Sequence, residues 1–181
     1  MTVDEYLAWA SASELEGRYE LVDGRVVEMA AERALHNITK LRIAMALQFR
    51  IEAANLDCTV LTDGMTVPVA SMTGRVPDAL VVKGRIANET MKVEDPLIVV
   101  EVLSPGSIKV DRETKLAEYA GVASIEHYLI VDAGARQITH HRRVDAGNFA
   151  AAMTSSGTLD LTPSGITIAV ADMLPPDPEK L

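Results

Sequence analysis

The chain alternates between two kinds of hydrophobic spacing, and the switches between them mark out its elements. Residues 19–28, "YELVDGRVVE", place two alternating runs on either side of Asp23-Gly24. That pair supplies the positive φ angles of a two-residue hairpin turn, so a β-hairpin is predicted. From Ala34 to Ala54 the spacing changes to three and four residues, through Leu35, Ile38, Leu41, Ala44/Met45, Leu47/Gln48 and Ile51. This predicts an amphipathic helix of about five turns with that stripe toward the core. "CTVLT-DG-MTVPV" repeats the hairpin signature around Asp63-Gly64, and Pro68 marks its second arm as an edge, because proline cannot donate to a ladder. "DALVVK" and "LIVVEVL" read as strands, the second without alternation and so covered on both faces.

Shorter signals complete the order. Thr2 and Glu5 form a capping box ahead of "VDEYLAWA", which predicts a short N-terminal helix. "DRETKLAEYAGV" reads as a helix with Asp111 as N-cap and Gly121 as C-cap glycine. "EHYLIVD" and "QITHHRRV" form a further hairpin around Ala133-Gly134, followed by short strands and turns to about Ala171. The expectation is one α/β (α+β) domain over residues 1–175, with a mixed central sheet flanked by helices, and a flexible proline-rich tail at 176–181.

Composition narrows the function classes. The 181 residues are 48% apolar, enough for one ordinary core. No run reaches the roughly 18–20 apolar residues of a membrane span, and the N-terminus lacks a basic signal region, so a cytoplasmic protein without a membrane partner is expected. Cys58 is the single cysteine, which excludes an internal disulfide and a cysteine-rich zinc site; it reads as a small core residue. The net charge of −9 argues against a surface that coats nucleic acid by charge alone, yet leaves room for acids that hold a cation.

The chemistry centres on acids in apolar surroundings. Glu101 interrupts "LIVVEVL" near the strand's C-terminal end, where open α/β sheets place their sites. Either a nearby cation of the protein or water offsets its burial, or a bound metal does. Asp78 begins the neighbouring strand candidate after Pro77, and if the two strands pair their carboxylates converge; Mg²⁺ commonly uses one or two carboxylates plus waters. Asp111, Lys115 and Tyr119 share a helix face at i, i+4, i+8, either as a surface Asp–Lys pair or as an ammonium folded over the strand end. Glu20 reads as a solvent-facing acid or as a site acid, and His36 as a hydrogen-bonded structural residue or a site residue. His140 and His141 point to opposite faces of a strand and make a poor metal pair; with Arg142 and Arg143 they read as a solvated basic edge.

In this order "YELVDG", His36 opening a long helix, "VPDALVV", "VVEVLSP" and "DRETKLAEYAGVASIEHYLIVD" resemble the Uma-type endonucleases of the PD-(D/E)XK nuclease superfamily, over about residues 3–175. The resemblance implies a restriction-endonuclease-like core and a metal site on Asp78 and Glu101, with the backbone carbonyl of Val102 as a further ligand for Mg²⁺ or Mn²⁺. The superfamily's lysine two residues after the glutamate is replaced here by Leu103, and Lys115 on the following helix stands in for it. By the same resemblance Glu20 is an extra acid near the metal, His36 lies at the site edge, and Tyr119 supports the site. The implied activity is metal-dependent hydrolysis of DNA phosphodiester bonds by a homodimer. Two alternatives stay open: a nuclease fold that has lost catalysis and serves as a dimeric interaction module, and a small-molecule metal-dependent phosphodiesterase.

Overall fold

The computed structural model describes residues 1–13, 17–104 and 106–176. The segment 177–181 of the expected tail lies outside them, as does Pro105 of the "SPG" that follows Glu101. Helix α1 (Val3–Ala12) starts at the expected capping box: Thr2 N–H donates to Glu5 Oε2 at 2.7 Å and Glu5 N–H to Thr2 Oγ1 at 3.3 Å. Strands β1 (Tyr19–Val22) and β2 (Arg25–Glu28) form the first hairpin, with φ of 48° at Asp23 and 76° at Gly24.

The central sheet has six strands in the order β10-β9-β8-β7-β6-β3: β3 (Cys58–Thr62), β6 (Ala79–Lys83), β7 (Pro96–Val102), β8 (His127–Asp132), β9 (Gln137–Asp145) and β10 (Asn148–Thr154). β7 and β8 run parallel and the other neighbours antiparallel, which makes the sheet mixed as expected. Both faces of β7 are covered. Ile98, Val100 and Val102 pack with helix α2 (Ala34–Ala53), β11 (Thr158–Leu161), β12 (Ile166–Ala169) and α4 (Val170–Met173). Val99 packs on the other side with Tyr119, Ile125 and Tyr128.

The hairpin expected around Asp63-Gly64 does not form. β3 pairs with β6, while β4 (Val67–Ala70) pairs with β5 (Thr73–Arg75) in a separate sheet ordered β2-β1-β5-β4. The turn residues do their local work, but β3 finds a better partner in the buried ladder of β6. Pro68 does lie on an edge strand, since β4 ends that sheet.

The long helix forms, but only Leu47 and Ile51 of the expected stripe face inward. Thr39, Lys40, Ile43, Leu47 and Ile51 are buried, whereas Leu35, Ile38, Leu41, Met45 and Phe49 are 47–63% exposed. The sheet takes the face that also carries His36 and Lys40, because those side chains have partners at the strand ends.

The helix after β7 also departs from expectation. A π-helical turn at Val110–Thr114 leads into α3 (Lys115–Gly121), so Asp111 lies inside the helical segment rather than at its N-cap. Its backbone N–H already donates to Ser107 O at 2.8 Å. Gly121 is the last helical residue, and Val122 is the C-cap. Arg143 serves the end of α3 instead, donating to the carbonyls of Ala120 (3.1 Å), Val122 (2.8 Å) and Ile125 (2.6 Å).

The 140–143 run is therefore not a solvated edge. β9 is flanked by β8 and β10, His141 is buried, and His140 Nε2 lies 2.8 Å from His127 Nδ1. Burial lowers both pKa values, and the neighbouring His127 adds to the fall at His140, to about 4. Cys58 is half-buried against the core under α2.

Candidate active site

The register of β6 against β7 pairs Ala79 with Val100, so Asp78 stands level with Glu101 one step further along. This end of the two strands opens into a cleft of about 710 Å³, lined among others by Glu20, His36, Asp78, Glu101, Asp111 and Lys115. Asp78 Oδ2 accepts a bond from Val102 N–H at 2.7 Å, which ties the aspartate to the residue after Glu101. The Val102 carbonyl accepts from His36 Nε2 at 2.8 Å, and the same nitrogen lies 3.4 Å from Asp78 Oδ2.

On the α3 side the expected face of Asp111, Lys115 and Tyr119 turns inward onto Glu101. Lys115 Nζ donates to Glu101 Oε1 at 2.8 Å, and Tyr119 Oη donates to the same oxygen at 2.9 Å. Nζ is also 3.4 Å from Asp111 Oδ1 and 3.5 Å from Glu20 Oε1. The Asp111–Lys115 contact is thus not a surface pair; Asp111 is 1% exposed and Lys115 6%. Glu20 is likewise buried rather than solvent-facing. Its carboxylate accepts from Arg75 Nη1 at 3.0 Å and from Val76 N–H at 2.9 Å. Arg75 in turn holds Glu118 through two bonds of 2.7 and 2.8 Å.

Burial dominates the electrostatics here. It pushes the Glu101 carboxyl up to about 8, with Asp78 and Asp111 adding repulsion and Lys115 opposing. Burial raises the Asp111 carboxyl as well. The same burial opposes the charge on Lys115, but Glu101, Glu20 and Asp111 outweigh it and hold the ammonium charged.

On the α2 side a second ion cluster faces Asp78. Lys40 Nζ bonds Asp63 Oδ2 at 2.7 Å and Glu32 Oε1 at 2.5 Å, and lies 3.8 Å from Asp78 Oδ1. Arg18 bonds both Glu32 and Asp63. Burial opposes the charge on Glu32, yet the bonds from Lys40, Arg18 and Asn37 lower its pKa to about 2. His36 is pulled above its usual value, because Asp78, Glu32 and the Val102 carbonyl outweigh burial.

Every expected site residue therefore reaches one region. Asp78, Glu101, Lys115, Glu20 and His36 line the cleft, and Tyr119 supports Glu101 from beneath. The donor set suits a hard divalent ion: two carboxylates, the Val102 carbonyl and a nearby imidazole. Among the described residues, Glu32, His36 and Asp78 offer ligand atoms within 4.8 Å of one another. Glu32 and Lys40 escaped the sequence reading although Glu32, His36 and Lys40 repeat the i, i+4, i+8 spacing noticed at Asp111. Arg75 and Asp63 carry no such signal, since their partners lie tens of residues away.

Comparison with known proteins bears on this arrangement. Residues 3–171 match the family model "Uma2: Putative restriction endonuclease". The chain belongs to that family. It is 24% identical over 173 residues to an uncharacterized protein of Synechocystis sp., covering 94% of this chain and 89% of that one. It also shares a fold with the crystal structure of "a putative nuclease belonging to DUF820" from Anabaena variabilis. That match has a TM-score of 0.72 at 15% identity and covers 96% of this chain and 97% of the other. No helix among the described residues is long and apolar enough to cross a membrane.

Proposed function

Starting from membership of this endonuclease family, we propose that the protein is a divalent-metal-dependent nuclease that hydrolyses DNA phosphodiester bonds in the cleft at the end of β6 and β7. One observation carries the reading: a buried lysine from α3 meets a buried glutamate of β7 directly beside an aspartate from the neighbouring strand. Asp78, Glu101 and the Val102 carbonyl are the residues that would hold Mg²⁺ or Mn²⁺. Such an ion, when bound, lowers the pKa of a coordinated water and polarises the phosphodiester.

The chain's own groups supply the rest. Lys115 carries a fixed positive charge at the point where negative charge develops on the phosphate, in surroundings that water barely screens. Glu20 and Asp111 lie 3.4–3.5 Å from that ammonium and limit where it can move. Tyr119 donates to Glu101 Oε1 and fixes the carboxylate's orientation. His36 holds the Val102 carbonyl. The net charge of −9 keeps nonspecific binding to DNA weak.

Incubation of the protein with plasmid and linear DNA in Mg²⁺ or Mn²⁺ tests this. Strand cleavage is expected, together with a drop of roughly 10²–10³-fold for both Glu101→Gln and Lys115→Ala. Cleavage undiminished in Glu101→Gln would remove the site from the chemistry. The exposed apolar face of α2 favours a second reading, a nuclease fold used as an interaction module. Absence of any heat on calorimetric titration with Mg²⁺ or Mn²⁺ would support it.

A further inference from the structure

We infer that the outward face of α2 is the interface of a two-fold dimer, in which the helix packs antiparallel against the same helix of a second copy. The inference is independent of the nuclease reading, and it gives the expected homodimer a surface.

Leu35, Ile38, Leu41, Met45 and Phe49 follow a three- and four-residue spacing on the face opposite Ile43 and Leu47. They span about 21 Å of helix. Arg42 is the charged residue that falls inside this arc, and it turns away: its Nε donates to Leu174 O at 2.7 Å and its Nη2 to Ala171 O at 3.3 Å. The stripe is thus apolar along its length, which is rare for a helix face left to solvent.

The occupant follows from area and from symmetry. At 47–63% exposure, five side chains of this size offer on the order of 500 Å² per copy, so pairing two stripes hides on the order of 1,000 Å², the threshold for a specific interface. The spacing is self-complementary about position 42. Leu35 and Phe49 each stand seven residues from it, and Ile38 and Met45 stand four and three residues from it. An antiparallel two-fold at that point sets Leu35 against the partner's Phe49, Ile38 against the partner's Met45, and the two copies of Leu41 beside the axis. Antiparallel packing also opposes the two helix dipoles favourably. The inward face of the same helix carries His36 and Lys40, so the dimer holds the two clefts on a shared rigid element.

Sedimentation velocity of the full chain tests the idea. A species of twice 19.5 kDa is expected at micromolar concentration. Met45→Glu is expected to weaken association at least about 100-fold while circular dichroism stays unchanged. In a Cys58→Ser background, Leu41→Cys is expected to form a disulfide-linked dimer on mild oxidation, a result that stands even if Met45→Glu folds poorly. Met153→Cys on the exposed edge strand β10 serves as the control and is expected to stay monomeric in denaturing gels. A monomer at all concentrations overturns the inference. So does a dimer that survives Met45→Glu and cross-links through Met153→Cys, which would place the interface on the sheet edge. A monomer that floats with phospholipid vesicles would assign the stripe to a membrane surface and overturn it equally.

Discussion

Two clusters of acids and cations flank Asp78, and they are built from the same residue types with opposite electrostatic results. On the α3 side, Lys115 sits among Glu101, Asp111 and Glu20, with every side chain no more than 10% exposed. On the α2 side, Lys40 and Arg18 sit between Glu32 and Asp63, and Arg18 and Asp63 are 38% and 25% exposed. The dry cluster pushes Glu101 up to about 8; the wetter one pulls Glu32 down to about 2. Charge balance and burial act in the same direction here: the dry cluster sets three acids around Lys115, with Arg75 reaching Glu20, whereas the wet one sets two acids against two cations. Burial removes the solvation each carboxylate would need, and in the dry cluster one ammonium is shared too widely to replace it. A site in that condition is poised for an added positive charge, whereas the α2 cluster is already neutralised.

The sharpest way to break the contrast is to remove the dry cluster's cation. Lys115→Met leaves Glu101 and Asp111 buried without their shared cation, and a stability loss of about 3–5 kcal/mol is expected at pH 8 by urea denaturation. The loss should shrink at pH 5, where the acids take up protons. An equal loss at both pH values would show that the side chain matters for packing and not for charge.

The pH dependence of the two carboxylates comes next. Folded Glu101 keeps its proton to a higher pH than unfolded Glu101, so its contribution to metal-free stability is fully present below about 4.5 and disappears as pH rises through about 8. Glu32 runs the other way. Its contribution is present above about 4.5 and is lost as pH falls toward 2. Thermal melts of Glu101→Gln should therefore flatten the alkaline limb alone, and melts of Glu32→Gln the acid limb alone. A Glu101→Gln profile that still falls between pH 5 and 8 would assign that limb to other groups.

The smallest effect is expected at the cluster's wet rim. Arg18→Ala should cost less than about 1 kcal/mol, because the guanidinium is more than a third exposed and Lys40 remains on both acids. A loss above 2 kcal/mol would mean that this cluster is as poorly solvated as its counterpart.

The sequence made the buried cluster easier to see than the wet one. Glu101 stood out because an apolar run made its charge conspicuous, and the Asp111–Lys115–Tyr119 spacing forced those residues onto one face whatever they packed against. The same spacing at Glu32, His36 and Lys40 carried no such signal, since the stripe expected to be buried began with Leu35, Ile38 and Leu41, which turn outward. Hydrophobicity chose wrongly there because it registers only the driving force for leaving water. It carries no record of partners such as Asp78 and Asp63, which let a lysine be buried, nor of a second surface to which apolar residues can be assigned.

Local rules settled what depends on a few neighbouring residues. The capping box at Thr2, the Asp23-Gly24 turn, the edge position of Pro68 and the two-sided burial of β7 all follow from steric and hydrogen-bonding limits within a short segment. Tertiary structure decided everything that needed two distant segments to be compared. It chose β6 rather than β4 as the partner of β3, it turned His36 and Lys40 inward, and it set Glu20 between Arg75 and Lys115. The physical reason is that pairing and desolvation energies belong to contacts between residues tens of positions apart, and a linear pattern carries the demand for such a contact without naming what will meet it.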